Sequence, residues 1–348
     1  MRLEPRQHVP AALGIGAPVG AALLALLICA VPLSLAGADV GSAYRLMLSG
    51  ALGSRFAVTE TLSRAAPLIL TGLAAAIAFR ARLWNIGAEG QLYMGALAAV
   101  AVGTGAVPLP GFLLLPLVLV AGATAGACWM LGPTWLRVRL GVDEVVTTLL
   151  LNFVVLLFVG MMLEGPMKDP MSLGWPQSAP IVAEATLPKL VERTRLHVGL
   201  VVALAAAVVT WLVIQRTRFG FELRAVGANP EAARFAGIPE ARVMLKVGLF
   251  SGALAGLAGV GEVAGLKGYL TQDLSPGYGY AGIVVATLAQ LGPLAVVVSA
   301  VFVAGVFVGA DSMSRAIGVS SFIANLIVAT ALLTMLLAGL LTRYRVTR

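Results

Sequence analysis

Of 348 residues, 59% are hydrophobic and only 11% charged, and the mean hydropathy is +0.95. These values exclude a soluble globular domain and describe a polytopic membrane protein. The net charge of +8 lies on segments between apolar runs, with no basic helix carrying interleaved aromatics. It therefore reads as topology and contact with anionic lipid, not nucleic-acid binding.

Apolar runs near the ~20 residues that cross a bilayer recur along the whole chain. In order they fall near 13–36, 62–79, 86–105, 111–131, 145–163, 197–214, 245–264, 279–291, 294–310 and 320–342. Ten spans are predicted, with nine the neighbouring count, because the eighth run is short and stops at Gly292-Pro293, as a tilted or re-entrant segment would. The expected fold is an all-α transmembrane bundle, one membrane domain over 1–348, with both termini cytoplasmic. The first run follows Arg2 and Arg6 and ends at Ala36-Gly37-Ala38, which imitates a signal peptide. It exceeds the ~7–15 apolar residues of such a leader and is expected to remain as a helix. Cys29 and Cys128 fall within spans and are expected as small core residues.

Polar groups inside these spans stand out. Asn85-Ile86-Gly87-Ala88-Glu89-Gly90-Gln91 opens the third span with two amides and a carboxylate. On a continuous helix Asn85 and Glu89 share a face. A carboxylate at membrane depth is costly unless it meets a wet cavity or a partner. Glu89 is thus expected either on the transport pathway or paired with Arg80 or Arg82. Glu262 lies among Gly259, Gly261 and Gly265, where it faces the pathway or caps a helix break. Asn152, Gln290 and Asn325 are single amides, suited to interhelical hydrogen bonds or to solute. Small residues four apart, at Gly122/Gly126, Gly248/Gly252, Gly252/Gly256, Gly261/Gly265 and Gly305/Gly309, predict close helix approach.

Charge orients the bundle. With the N-terminus inside, 15 of the 24 Lys and Arg fall on inner segments, as the positive-inside rule requires. The 216–246 segment is then cytoplasmic and the 164–196 loop external. Within the former, Asn229 suits an N-cap, Pro230 the first helical position and Glu231 the first turn. Gly237 closes the helix in a left-handed conformation, and Pro239 stops it. A helix of about seven residues is marginal alone, so it needs its own domain or a partner to pack on.

The chain lacks a Gly-x-x-x-x-Gly-Lys-Ser/Thr loop, and none of its four lysines follows a glycine, so it shows no nucleotide-binding motif of that kind. It also lacks His-Glu-x-x-His and Gly-x-Ser-x-Gly. No catalytic constellation and no metal cluster is legible, and a transport subunit is expected in place of an enzyme. A transporter working alone would show charged relays or inverted repeats, and neither is clear.

Residues Glu231-Ala232-Ala233 with Gly237 resemble the EAA loop of bacterial ABC-importer permeases. Three further stretches fit, in order: Arg64–Leu73 with Asn85–Gln91, Asp143–Asn152, and Gly277-Tyr278-Gly279-Tyr280-Ala281-Gly282-Ile283. Together they resemble the permeases of sugar, nucleoside and branched-chain amino-acid ABC importers, most of all the nucleoside type. The resemblance implies a multi-pass protein of the bacterial inner membrane that imports a small polar solute, nucleosides first, simple sugars or branched-chain amino acids as alternatives. It implies a second permease chain of different sequence, an external solute-binding lipoprotein, and a separate ATPase subunit that holds ATP and Mg, with no cofactor on this chain. Gly227, Asn229, Pro230, Glu231, Ala232, Ala233, Arg234 and Gly237 would form the coupling helix docking on that ATPase. Asn85, Glu89, Gln91, Asn152, Glu262, Tyr278 and Asn325 are the pathway candidates, and Tyr93, Tyr278 and Tyr280 are candidates to stack a base. Family members often carry a basic residue after the eighth span. Here the sequence is Gln290-Leu291-Gly292-Pro293.

Overall fold

The structure is a computed structural model that describes residues 2–5, 11–105 and 110–347. Arg6 and Arg348, which count among the inner basic residues above, lie outside the described residues. The helices are α1 (Ala11–Leu35), α2 (Val40–Leu52), α3 (Arg55–Arg80), α4 (Ala88–Gly103), α5 (Gly111–Leu140), α6 (Glu144–Glu164) and α7 (Gly199–Arg216). They continue with α8 (Arg218–Ala228), α9 (Pro230–Phe235), α10 (Glu240–Val260), α11 (Tyr278–Leu288), α12 (Pro293–Ile317) and α13 (Ser321–Arg343). A π-helical segment, Gly261–Lys267, extends α10. Two four-residue strands, β1 (Arg2–Pro5) and β2 (Tyr344–Thr347), pair antiparallel with Arg2 opposite Thr347. The rest of the regular structure is helical.

Each of the ten predicted runs coincides with a helix. Among the described residues, six helices are long and apolar enough to cross a membrane: α3, α5, α6, α7, α10 with its π extension, and α12. A seventh span results if the bent pair α1–α2 counts as one, the two arms meeting at 118°. The bend follows from Gly37 at φ +76 and from Asp39, which caps α2 by accepting the Ser42 N–H at 2.7 Å. α4 and α11 have 16 and 11 residues. At 1.5 Å per residue these reach about 24 Å and about 16 Å, short of the ~30 Å hydrocarbon layer.

The chain groups into two compact units, Met1–Thr61 with Val301–Arg348, and Leu62–Ala300. In the first, Cys29, Leu33, Ala43, Met313 and Ile327 form a buried apolar cluster, and the Tyr44 hydroxyl donates to the Leu26 carbonyl. In the second, α4, α5 and α10 meet along glycines. A Cβ added to Gly95 would enter the backbone of Gly256, and one on Gly126 the backbone of Gly252 and Gly256. The expected small-residue seam is therefore real at Gly122/Gly126 and Gly252/Gly256. Gly261 has open space around it, whereas Gly265 abuts the His197 ring. Cys29 is buried as expected; Cys128 is instead exposed on α5.

The 164–196 loop lies across the end of α4 and the π segment. Val182 N–H donates to the Gly103 carbonyl at 2.9 Å, Leu187 N–H to Ala264 at 2.8 Å and Ile181 N–H to Gly268 at 2.8 Å. These bonds satisfy backbone groups that burial would otherwise leave costly.

Candidate functional site

The Gly227–Pro239 segment folds as its residues dictate. The Asn229 carboxamide accepts the N–H groups of Glu231 and Ala232 at 3.0 and 3.1 Å, and Pro230 takes the first helical position. Gly237, at φ +80, donates to the Arg234 carbonyl at 3.0 Å while Ile238 N–H donates to Ala233 at 3.0 Å. That pair of bonds is a Schellman closure. Arg234 and Glu240 form an ion pair at 3.2 Å, worth little at such exposure.

Only Ala233 of the α9 helix is buried, and Glu231, Ala232, Arg234 and Phe235 face outward. Phe235 is 97% exposed, and the sequence reading did not single it out. A second short helix, α8, precedes α9 and was not anticipated. Thr217 caps it by accepting the Gly220 N–H at 3.0 Å, and Leu223 and Val226 are buried. Gly227 serves close approach, since a Cβ there would enter the Arg80 carbonyl. Arg82 adds a guanidinium hydrogen bond of 3.0 Å to the Ala228 carbonyl.

The predicted pathway residues of the second unit are buried, and most belong to one polar network. Asn85 precedes α4 and does not share a helical face with Glu89. Its carboxamide exchanges two hydrogen bonds of 2.9 Å with that of Gln91 and donates to Ser251 Oγ at 2.9 Å. Ser251 in turn donates to the Ala74 carbonyl at 2.7 Å. These amides are satisfied by the protein itself, as buried polar groups must be.

Along one face of α6, Glu144, Thr148 and Asn152 stand one turn apart and catch the backbone of residues 84–90. Glu144 accepts the Trp84 N–H at 3.0 Å and pairs with Arg137. Thr148 Oγ1 accepts the Ile86 N–H at 3.2 Å. Asn152 accepts the Gly90 N–H at 2.9 Å and donates at 3.0 Å to the Ile86 carbonyl and the Tyr280 hydroxyl. This accounts for the polar residues of the Asp143–Asn152 stretch as scaffolding.

Glu89 pairs with neither arginine. Its carboxylate accepts the Gly279 N–H at 2.6 Å and a hydrogen bond from Ser275. It stands in the first turn of α4 and on the first turn of α11, so two helix N-termini with their bare N–H groups converge on it. Tyr93, one turn further along α4, donates to the Gln272 carbonyl at 2.6 Å and accepts the Ser275 N–H at 3.2 Å. Thr71 of α3 donates to the Tyr278 carbonyl at 3.0 Å.

Tyr93 and Tyr278 are each 2% exposed, which removes them as free stacking surfaces in this arrangement; Tyr280 is partly exposed. Glu262 is buried within the π segment. Asn325 belongs to the other unit, exposed on α13. Among the described residues, no three His, Cys, Asp or Glu are placed to hold a metal ion.

Known proteins bear directly on this arrangement. A family model described as the permease component of the branched-chain amino acid transport system matches residues 57–342. The chain is 41% identical to a glucose ABC transporter permease protein of Haloferax volcanii, over 99% of this chain and 93% of that protein. It is 36% identical to a guanosine ABC transporter permease protein of Bacillus subtilis, over 91% of both. It is 32% identical to a nucleoside ABC transporter permease protein of Lactococcus lactis, over 78% of this chain and 77% of that one. No solved structure matches the chain.

Proposed function

The chain belongs to the permease family of branched-chain amino acid transport systems and is a multi-pass ABC permease subunit, and from that premise we propose that it imports nucleosides using ATP hydrolysed on a separate chain. The α9 helix carries this reading. Its two ends are closed by local hydrogen bonds, one residue anchors it, and it presents Phe235 with no apolar cover. A fully exposed phenylalanine on a rigid short helix suits an aromatic anchor for a partner pocket. The partner proposed is the ATPase subunit, with ATP and Mg bound there. A second permease chain would complete the pore and an external binding protein would deliver solute.

The bias of positive charge supports cytoplasmic termini. So does the gathering of Arg80, Arg82, Gly227 and Ala228 at one end of the second unit, opposite the end covered by the 164–196 loop. In a ten-span arrangement α4 and α11 are short members, α11 about half the depth of the hydrocarbon layer, and both are largely buried. Nucleoside transport follows the guanosine and nucleoside relatives. The glucose relative favours a second reading, a simple sugar.

The test is reconstitution of the complex with its ATPase and binding protein, scored for solute-stimulated ATP hydrolysis and for uptake of labelled guanosine and glucose. Burying a phenylalanine is worth about 1.5–3 kcal/mol, so Phe235→Ala should weaken ATPase association roughly tenfold or more with membrane insertion intact. Unchanged association would remove α9 as the docking element. Glucose uptake without guanosine uptake would decide for the second reading.

A further inference from the structure

We infer that Arg80 is a positioning residue that passes movement of the α8–α9 segment to α11, an inference that rests on the coupling role proposed for α9. The turn after α11 is strained. Gln290 and Leu291 stand at φ +49 and +60, two successive side-chain-bearing residues in the left-handed region that favours glycine. Such backbone persists only where its surroundings hold it. Here Gln290 N–H donates to Thr287 at 3.0 Å and Leu291 N–H to Ala286 at 2.8 Å. The Leu291 carbonyl accepts Arg80 Nε at 2.8 Å.

Arg80 ends α3 and meets the coupling segment on its other side. Gly227 of α8 packs against its carbonyl so closely that no Cβ fits, and Arg224 of α8 is near enough to act on its charge. Two residues further, Arg82 holds the Ala228 carbonyl. A displacement of α8 therefore bears on the residue that grips the α11 turn.

α11 is built to move as one piece. Its first turn is tied by Glu89, Thr71 and Asn152, and its last by Arg80. The length between is apolar, with Ala281, Val285 and Ala286 buried. At 11 residues it is free of the constraint of crossing the whole bilayer. Arg80 is half-buried, and its Nε is committed to Leu291, so it does more than reach for lipid headgroups.

The experiment uses the reconstituted complex and reads solute imported per ATP hydrolysed, with the amount of assembled complex measured in the same sample. Arg80→Met should assemble and keep basal hydrolysis, while import per ATP falls about tenfold, the order expected for loss of one hydrogen bond from a charged donor. Arg80→Lys, which retains charge and a donor, should recover most of the ratio. Loss of assembled Arg80→Met complex with an unchanged ratio in what remains would show a structural role and overturn the inference, as would a wild-type ratio at full assembly. Should Arg80→Met fail to accumulate, Leu291→Gly decides. Glycine accommodates the left-handed turn but lets it yield, so import per ATP should fall with assembly kept, and an unchanged ratio overturns the relay. A wild-type complex with no solute-stimulated hydrolysis would instead remove the coupling reading itself, and the relay with it.

Discussion

Gly256→Ala tests whether the α5–α10 seam is held by backbone contact. The added Cβ would fall onto the Gly122 carbonyl oxygen, with the Gly122 carbonyl carbon and Gly126 Cα both at 3.1 Å. Every obstacle is backbone, so no rotamer change relieves it and the helices must part. Overpacking of this kind costs about 1–3 kcal/mol, while alanine gains up to about 1 kcal/mol over glycine in a helix. The net is a loss of roughly 0–2 kcal/mol. Gly132→Ala on α5 provides the reference, because nothing lies within 4 Å of its Cβ and only the helical gain applies. The two variants should differ by about 1–3 kcal/mol, which is roughly fivefold to more than a hundredfold in the unfolding equilibrium. The difference should be sharp because, between helices in lipid, close packing must replace the hydrophobic driving force available in water. Thermal unfolding of both purified variants in one detergent measures it. Equal midpoints would refute the seam.

Two further outcomes are expected. Cysteines at Ala232 and Leu173, both exposed, should label from opposite sides of the membrane, the first only after permeabilisation; labelling of both in intact cells would overturn this topology. Glu89→Gln keeps an acceptor for the Gly279 N–H but puts an amide NH2, which cannot accept from Ser275, in place of the second carboxyl oxygen. It should lower the unfolding midpoint modestly, and Glu89→Ala, which leaves the N–H bare, should lower it further. Equal stability of all three proteins would show that the latch on α11 carries no energy.

Some features were legible in the chain because their causes are local. The α9 helix is set by Asn229, Pro230 and Gly237, whose effects reach at most five residues, and it formed where those residues placed it. The ten apolar runs became helices because a helix pairs every backbone polar group within the run itself, and runs near ~20 residues without polar alternation suit no barrel strand. Glycines four apart on α5 and α10 marked a seam because a helix repeats its face at that spacing.

Tertiary structure decided everything whose partner is distant. Nothing near Glu89 announced Gly279, 190 residues away, and the tempting neighbours Arg80 and Arg82 turned to the carbonyls of Leu291 and Ala228 instead. Asn85 could be placed on a helical face with Glu89 only by assuming that α4 began three residues early; the amide pair with Gln91 holds Asn85 in the turn before it. Gly292-Pro293 marked α11 as short, but hydropathy marked α4 only as apolar, since where a helix stops inside a bundle depends on neighbours that accept its loose ends. Here those neighbours are Glu144, Thr148 and Asn152 on the segment leading into α4, and Glu89 and Thr71 on α11. The sequence alone therefore determined that this chain crosses membranes and carries a short capped helix between two of its apolar runs, through rules that act within a few residues or on composition. The fold alone decided which polar groups face each other, because only packing brings a carboxylate on one helix to the bare N–H of another.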